Sequence, residues 1–416
     1  MVFERRGAGA LLALAILFLL SACALLSFRE GSFNVAIAAY ALGATLLMLL
    51  GYNLAAIIFR HIDRITLVIC FFLASVGLVM LARLNMDVAF RQLIFLVAGV
   101  VVMFITVAII RRTQDFGKLN YLFMVMAVGL LLFSLVFGKS QGGAKNWVSI
   151  AGISFQPSEF AKILYIINAA YFFAQRRGKV ATIAYVLYSG LCVVILVLSN
   201  DLGAALLFAG TFLIVFFAAT GRVLLTLAGL GVGAAGAVAS YFVVSHVKAR
   251  VQVWQDPWKY YNTTGYQIVQ GLMAIAAGGL FGAGLGLGSP NLIPVNTSDF
   301  IFAAICEEFG LLFGIITVLL YLVFIIRGMI IAMNARSRFD ALLVFGATCM
   351  LSLQSFIIIG GVIKLIPLTG ITLPFISAGG SSLLACMCLV GIIEGVAAKN
   401  GEQDEQVIVE AGGEVV

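Results

Sequence analysis

The chain has 416 residues, of which 63% are hydrophobic and 10% are charged, and its formal net charge is +7. A soluble domain cannot cover so apolar a composition with polar surface, so these values exclude a soluble globular protein and indicate a polytopic membrane protein. The basic residues occur in ones to threes between apolar runs, which favours anchoring to anionic lipid over nucleic-acid binding.

Twelve apolar stretches follow one another along the chain, and most are close to the ~20 residues that cross a bilayer as a helix. Long runs without alternation exclude a β-barrel, so the predicted fold is an all-α polytopic bundle of about twelve transmembrane helices. The stretches are 9–27, 34–59, 65–82, 92–110, 120–137, 157–174, 181–198, 203–219, 223–244, 300–326, 340–363 and 381–397.

Lysine and arginine predict the orientation of these helices. If the N-terminus is inside, 15 of the 25 basic residues lie in inner connections, among them Arg60, Arg64, Arg111, Arg176 and Arg177. Both termini are then cytoplasmic, and the long loop 245–299 faces outward. The acidic tail 400–416 is predicted to be disordered.

The cysteines have two possible readings. Leu20-Ser21-Ala22-Cys23 resembles a bacterial lipoprotein cleavage site, but the apolar run continues through Leu26, which favours an uncut first span. The seven cysteines lie within or beside apolar runs, and none has metal-ligand spacing with either histidine. We therefore expect them to be buried packing residues.

The first candidate for chemistry is the segment Lys145 to Ile163. Pro157 fits the first turn of a helix, where the carboxylate of Glu159 complements the helix dipole. Glu159 and Lys162 are three residues apart on one helix face, so they can pair. A capped helix end with a local ion pair explains this much. The depth of Lys162 in an apolar run, where a lone ammonium is costly, favours a functional role.

Two outer-side aspartates stand where apolar helices begin. Asp201 precedes one helix, and N-capping alone explains it. Asp299 precedes another, after the run GGLFGAGLGLGS, which either packs membrane helices closely or brings backbone amides to a phosphate. Glu307 and Glu308 follow about two turns inside that helix, and carboxylates at membrane depth indicate function by default.

The segment Lys364 to Ser382 interrupts an apolar region with two prolines, three glycines and a serine pair. Irregular backbone at membrane depth is tolerated only inside protein or beside a wet cavity, so we expect a re-entrant segment that forms part of a site. Arg91 lies at a further outer helix start. Acids and cations gathered on the outer side of a helical bundle suit an amphiphilic substrate that carries phosphate.

Four motifs in this order, QPSEFAKI, SNDLGAALL, SDFIFAAICEEFG and PLTGITLPFISAGGSS, resemble the SEDS family (shape, elongation, division and sporulation) of cell-wall glycosyltransferases. The resemblance covers about residues 65–397. It implies a ten-helix core at 63–399, two additional helices at 1–62, an outer loop at 245–299 before the tenth helix of the chain, and an acidic cytoplasmic tail at 400–416.

The resemblance also implies an activity and partners. Proteins of the family polymerise glycan from lipid II on the outer face of the bacterial cytoplasmic membrane, usually with a class B penicillin-binding protein as transpeptidase. Lipid II, that partner and membrane lipid are therefore the expected partners, and nucleic acid is not. A divalent cation, Mg²⁺ or Mn²⁺, is the expected cofactor, with Asp299 and Asp201 as its candidate ligands.

Roles for individual residues follow from the same resemblance. Asp299 matches the family's essential acid and is predicted to be the base that takes a proton from the attacking sugar hydroxyl. Lys162 and Arg91 are predicted to contact the diphosphate or the acceptor. Glu159 would hold Lys162, and Asp201 would support Asp299. The predicted binding or supporting residues are Arg91, Glu159, Lys162, Asp201, Glu308, Ser377, Gly379, Gly380 and Ser381.

Departures from the family pattern bear on the subfamily, whether elongation, division or sporulation. Asn291 and Val295 stand in a loop that often carries a lysine and a Pro-Glu pair, and Ala378 stands where a tyrosine is usual. Two alternatives stay open: a flippase for lipid-linked sugars, and an inactive scaffold that recruits a transpeptidase. A flippase needs a transport pathway with charged residues reaching it from both faces of the membrane. The candidate charged residues of this chain gather at outer helix ends instead, which favours the enzyme over the flippase.

Overall fold

A computed structural model of the chain describes residues 2–28, 33–113, 116–141, 144–150, 153–175 and 178–410. Arg176 and Arg177, which contribute to the predicted orientation, lie outside these ranges. The described helices are α1 (Val2–Phe28), α2 (Val35–Ile58), α3 (Arg64–Leu84), α4 (Met86–Arg112), α5 (Asn120–Phe137), α6 (Pro157–Ala174), α7 (Lys179–Leu198), α8 (Leu202–Thr220), α9 (Val223–Val243), α10 (Ser245–Gln255), α11 (Tyr266–Gly278), α12 (Ile301–Met333), α13 (Arg338–Val362) and α14 (Gly380–Glu410).

Eleven of these described helices are long and apolar enough to cross a membrane. Each of the twelve predicted stretches corresponds to a helix, but α6 is not among the eleven. Its polar residues Glu159, Lys162 and Asn168 lower its hydropathy. The polytopic helical fold is confirmed, whereas the count of twelve spans is not.

A small antiparallel sheet, absent from the prediction, lies between α5 and α6. Its strands are β1 (Lys139–Gln141), β2 (Ala144–Ile150) and β3 (Ile153–Phe155), with β2 in the middle. The amide of Lys145 donates to the carbonyl of Ser199 at 2.8 Å, which ties β2 to the turn before α8. The sheet therefore braces the starts of α6 and α8, where two of the predicted site motifs lie.

The first two helices pack against α3 and each other. Leu12, Leu19 and Cys23 on one face of α1 are buried, and Phe18 stacks on Phe313 of α12 with ring centroids 5.7 Å apart. The helix continues without a break through Cys23 to Phe28. The first span is thus packed into the bundle through its side chains, on which helix association in lipid depends.

The interior of the bundle is formed by α3, α6, α13 and α14, and α4 packs on α14 from outside. Glycines let α14 lie close to α4: a Cβ on Gly391 would be 2.8 Å from the carbonyl oxygen of Met103, and one on Gly395 would be 2.7 Å from Cβ of Ile110. Such close approach provides the van der Waals contact that holds membrane helices together. By contrast, α9 has no buried residue.

The predicted outer loop 245–299 is largely structured. It contains α10 and α11, and the glycine-rich run after α11 packs on the start of α12. The backbone of α12 is broken at Gly310, where φ is +88° and ψ is 167°. The break lets the amide of Leu311 donate to the carbonyl of Gly279 at 2.9 Å. The run and the helix thus form one unit.

The acidic tail is helical through Glu410, so the prediction of disorder is wrong for residues 400–410. Three of its carboxylates form ion pairs: Glu402 with Arg111, Asp404 with Arg336, and Glu405 with His61. These contacts lie at the end of the bundle opposite Asp299, which we call the tail end. The end that carries Asp299 is the aspartate end.

Candidate active site

The irregular segment 363–379, between α13 and α14, organises the aspartate end of the bundle. The amide of Ala378 donates to the carbonyl of Thr297 at 2.9 Å, and Oγ of Ser377 donates to the carbonyl of Ser298 at 2.7 Å. Both acceptors immediately precede Asp299 in the chain. The segment expected to be re-entrant is therefore hydrogen-bonded to the two residues that directly precede this aspartate.

Asp299 is half-buried, with one carboxylate oxygen bonded and one facing a gap. Oδ1 accepts from Oγ of Ser298 at 3.1 Å. Oδ2 lies 3.6 Å from the point where a methyl group on Gly370 would stand. Burial raises the pKa of the Asp299 carboxyl above its usual range, while the Ser298 hydrogen bond and the charge of Arg250 partly oppose that rise.

Glu159 and Lys162 form the predicted pair, and it is buried. Nζ of Lys162 lies 2.5 Å from Oε2 of Glu159 and donates to Oε1 of Gln354 at 2.9 Å. Gln354 in turn donates to the carbonyl of Thr372 at 2.9 Å, and Oγ1 of Thr372 donates to Oγ of Ser382 at 2.7 Å. Because Lys162 is only 2% exposed, its ammonium serves this network.

Asp201 is at once the cap of α8 and a junction between elements. Its Oδ1 accepts a hydrogen bond from the amide of Ala204 at 3.1 Å, as expected for a residue that caps the N-terminus of a helix. Its Oδ2 accepts from the side chains of Asn146 at 3.0 Å, Gln156 at 3.0 Å and Ser158 at 3.4 Å. Burial raises the pKa of this carboxyl, and the hydrogen bonds oppose the rise. Both oxygens are therefore occupied by protein donors.

The glycine-rich run uses its amides on carboxylates of α12. The amide of Gly286 donates to Glu308 at 3.1 Å, and that of Ser289 donates to Glu307 at 2.7 Å. Nε of Arg83 lies 2.9 Å from the other oxygen of Glu308. Of the two alternatives for the run, packing against the helix describes the structure, since these amides already have anionic acceptors.

The remaining predicted residues surround segment 363–379. Arg91 is exposed on α4, whereas its neighbour Gln92 is buried and donates to the carbonyl of Ser377 at 3.0 Å. Oε1 of Gln92 accepts from the amide of Gly379 at 3.2 Å. A Cβ on Gly380 would lie 2.5 Å from the ring of Phe95, so this glycine permits close packing.

Ser381, the last of these residues, connects the segment to α6. Its Oγ accepts from the amide of Gln156 at 3.3 Å, and Gln156 also donates to Asp201. The structure therefore brings Asp201, Asp299, Glu159, Lys162 and the Ser377–Ser382 region to one end of the bundle.

Three residues of this end were missed in the sequence: Gln92, Arg250 and Gln354. The two buried glutamines had a detectable signal, because an uncharged amide inside an apolar run needs a partner. Arg250 had no such signal, because it lies in α10, a helix of the predicted outer loop that contains other polar residues. Its Nη1 donates to the carbonyls of Leu368 at 3.1 Å and Thr369 at 2.9 Å.

Comparison with known proteins places this arrangement in a family. The FtsW/RodA/SpoVE family model, described as "Cell cycle protein", matches residues 52–402. The chain belongs to this family. The predicted SEDS membership is thereby confirmed, and α1 with most of α2 precedes the matched region.

The matches to named relatives of the family cover most of the chain. It is 36% identical over 368 residues to "Peptidoglycan glycosyltransferase RodA" of Mycobacterium tuberculosis, a match that covers 80% of this chain and 77% of the relative. It is 33% identical over 356 residues to "Stage V sporulation protein E" of Bacillus subtilis, with coverage of 80% and 95%.

Solved structures of the family share the fold. A chain from a structure described as "Structural coordination of polymerization and crosslinking by a peptidoglycan synthase complex" matches with a TM-score of 0.70 and 24% identity over 82% of this chain and 98% of that one. RodA of Thermus thermophilus matches with a TM-score of 0.62 and 24% identity over 81% and 96%.

Proposed function

We propose that this protein is a peptidoglycan glycosyltransferase that polymerises lipid II into glycan strands. The observation that carries the proposal is the setting of Asp299, a half-buried carboxylate with one oxygen facing a gap beside Gly370. The Mycobacterium tuberculosis relative, which is named a peptidoglycan glycosyltransferase, supports the same activity.

In the proposed reaction Asp299 acts as general base. Its open oxygen accepts the proton of the sugar hydroxyl that attacks the anomeric carbon of the donor, a role that contributes typically ~10²–10⁴-fold. Segment 363–379 holds this aspartate in place through its hydrogen bonds to Thr297 and Ser298. The Glu159–Lys162–Gln354 network fixes α6, α13 and α14 around the segment.

A divalent cation is part of the proposal. The described residues contain no cluster of three or more His, Cys, Asp or Glu side chains that would cage a metal. Asp299 offers one open oxygen, whereas both oxygens of Asp201 already accept hydrogen bonds. Because the open oxygen of Asp299 is assigned to the proton, this donor set fits Mg²⁺ or Mn²⁺ held mainly by substrate phosphates and water, where the ion would neutralise charge on the leaving group.

We further propose that the aspartate end faces outward and that a class B penicillin-binding protein works beside this chain. Arg60, Arg64 and Arg111 lie at the tail end, and this distribution of basic residues supports a cytoplasmic position for that end. The structural neighbour described as a peptidoglycan synthase complex supports the expectation of a partner.

The test is polymerisation of labelled lipid II by purified protein with Mg²⁺ or Mn²⁺. Asp299→Asn removes the base and should lower the rate by ~10²–10⁴-fold. Asp256→Asn, an exposed aspartate of the same outer region, is the matched control and should leave the rate unchanged. Equal rates for both variants would reject Asp299 as the base.

The same preparation distinguishes the two alternatives. Transbilayer movement of lipid II in vesicles without polymer would favour a flippase. Neither movement nor polymer from the chain with its transpeptidase present would favour a scaffold.

A further inference from the structure

Arg250 is fixed at the aspartate end by main-chain acceptors. Its Nη1 donates to two consecutive carbonyls, Leu368 and Thr369, in the irregular segment 363–379. Four residues further along α10, Nε1 of Trp254 donates to the carbonyl of Lys364 at 3.1 Å. These bonds dock one face of α10 on the segment, so the guanidinium group has a defined position.

The other terminal nitrogen of Arg250 faces the gap beside Asp299. A methyl group on Gly370 would lie 3.7 Å from Nη2 of Arg250 and 3.6 Å from Oδ2 of Asp299. Gly370 has no side chain to fill this space, and its φ is +76°. The described ion pairs do not include one between Arg250 and Asp299. One cationic donor and one carboxylate therefore line the same gap without neutralising each other directly.

The other basic residues near this end are differently placed. The ammonium of Lys162 is buried between Glu159 and Gln354. Arg83 pairs with Glu308 behind the glycine-rich run. Arg91 is exposed on α4. Among the described cations, Arg250 is the one whose guanidinium borders the gap that Asp299 faces.

Charge in this region favours an anionic ligand at Arg250. Burial lowers the pKa of Arg250, and the carboxylates of Asp299 and Asp201 act in the opposite direction. Arginine nevertheless stays protonated in proteins, so the group carries a positive charge that is incompletely solvated. A planar guanidinium is suited to phosphate oxygens, which accept from two of its nitrogens at once.

We propose that Arg250 binds the diphosphate of the lipid-linked donor next to Asp299. The assignment rests on the proposed function. In that reaction the acceptor hydroxyl oxygen bonds to the anomeric carbon and its proton passes to Asp299. The bond between the anomeric carbon and the diphosphate oxygen breaks, and its electron pair leaves with the diphosphate. Arg250 stabilises the charge that develops on this leaving group.

The test measures binding of three lipids that differ only at the head: undecaprenyl diphosphate, undecaprenyl phosphate and undecaprenol, each in nanodiscs with the purified full chain. Arg250→Gln should weaken diphosphate binding by about 10- to 100-fold, the loss expected for a hydrogen bond to a charged group. Undecaprenol binding should not change. Arg250→Lys keeps the charge without the planar fork and should recover part of the loss.

The matched control is Lys248→Gln, which removes an exposed cation from the same helix and should leave all three affinities unchanged. Unchanged diphosphate binding in folded Arg250→Gln would overturn the assignment. So would an equal loss for undecaprenol, since that would show a general structural defect.

A second variant keeps the test decisive if Arg250→Gln does not fold. Gly370→Ala places a methyl group in the gap and keeps the side chains of both Arg250 and Asp299, and unchanged undecaprenol binding would show that its strained backbone has not disturbed the fold. The assignment requires weaker diphosphate binding by this variant, and wild-type binding would contradict it. Wild-type protein that binds the diphosphate through Arg250 but forms no glycan would refute the polymerase proposal alone.

Discussion

At Asp299, burial and neighbouring charge act in opposite directions on one carboxyl group. Burial raises its pKa, and Ser298 and Arg250 lower it again, with a net rise above the ordinary value of 3.8. A general base works best when its pKa approaches the working pH, because it then accepts the proton more readily. The half-buried setting thus makes this aspartate a stronger base than an exposed one.

The pH dependence of glycan synthesis should report this rise. The proposed role as general base requires ionised Asp299, so activity should be present above the pKa in the folded protein and be lost as the pH falls through it. Because that pKa is raised, the loss should begin at a higher pH than for an ordinary aspartate. The measurement is kcat/KM for lipid II across the acid range. An acid limb centred at or below 3.8 would contradict the prediction.

The candidate residues that the sequence indicated are those that are conspicuous as charges. Asp299, Glu159 and Lys162 stand out because ionised groups are rare in apolar helices. The position of the Arg250 side chain was not predictable, because it depends on the fold of segment 363–379, which supplies its two carbonyl acceptors. Contacts between residues more than a hundred positions apart have no local pattern.

At the scale of elements, the backbone break at Gly310 lets the glycine-rich run pack closely on α12. A Cβ on Gly310 would lie 2.4 Å from the amide nitrogen of Gly282 and 2.4 Å from the carbonyl oxygen of Leu280. The backbone at Gly310 also has a positive φ that L-residues rarely adopt. Helices were predictable from hydropathy, but this break was not, because glycine also occurs in unbroken membrane helices.

Gly310→Ala should destabilise the protein markedly. The strained backbone alone costs about 1–3 kcal/mol, and the methyl group adds a clash with the main chain of the run. Thermal unfolding in detergent would measure the loss. Gly129→Ala in α5 is the control, since its methyl would meet no atom within 4 Å, and stability there should be unchanged or higher. Equal stability of the two variants would show that the break at Gly310 is dispensable.

At the scale of the whole molecule, the two ends of the bundle are held by different interactions. The aspartate end depends on buried networks. The tail end combines an exposed pair of Asp404 and partly exposed pairs of Glu402 and Glu405 with a buried pair in which Nζ of Lys399 lies 2.8 Å from Asp340. The acidic composition of the tail suggested disorder, but its helix is stabilised by basic residues from three distant turns.

These interactions should differ in strength. Replacing Glu402, Asp404 and Glu405 by their amides should cost at most about 1 kcal/mol per pair, and the loss should shrink at high salt. Asp340→Asn leaves the ammonium of Lys399 buried without its carboxylate and should cost about 3–5 kcal/mol. Chemical or thermal unfolding at two salt concentrations would compare the loss of stability in the triple variant with that in Asp340→Asn. Glycan synthesis should persist in the triple variant, and its loss would show coupling between the two ends.

The bare backbone at Gly370 has a consequence for antibiotic resistance. Cells usually escape an inhibitor by substituting a residue that the compound touches. At Gly370 any side chain would strain a backbone with φ of +76° and enter the gap between Asp299 and Arg250. A compound seated against this glycine would therefore rest on a position where any side chain strains the backbone and enters the gap that we propose for the substrate.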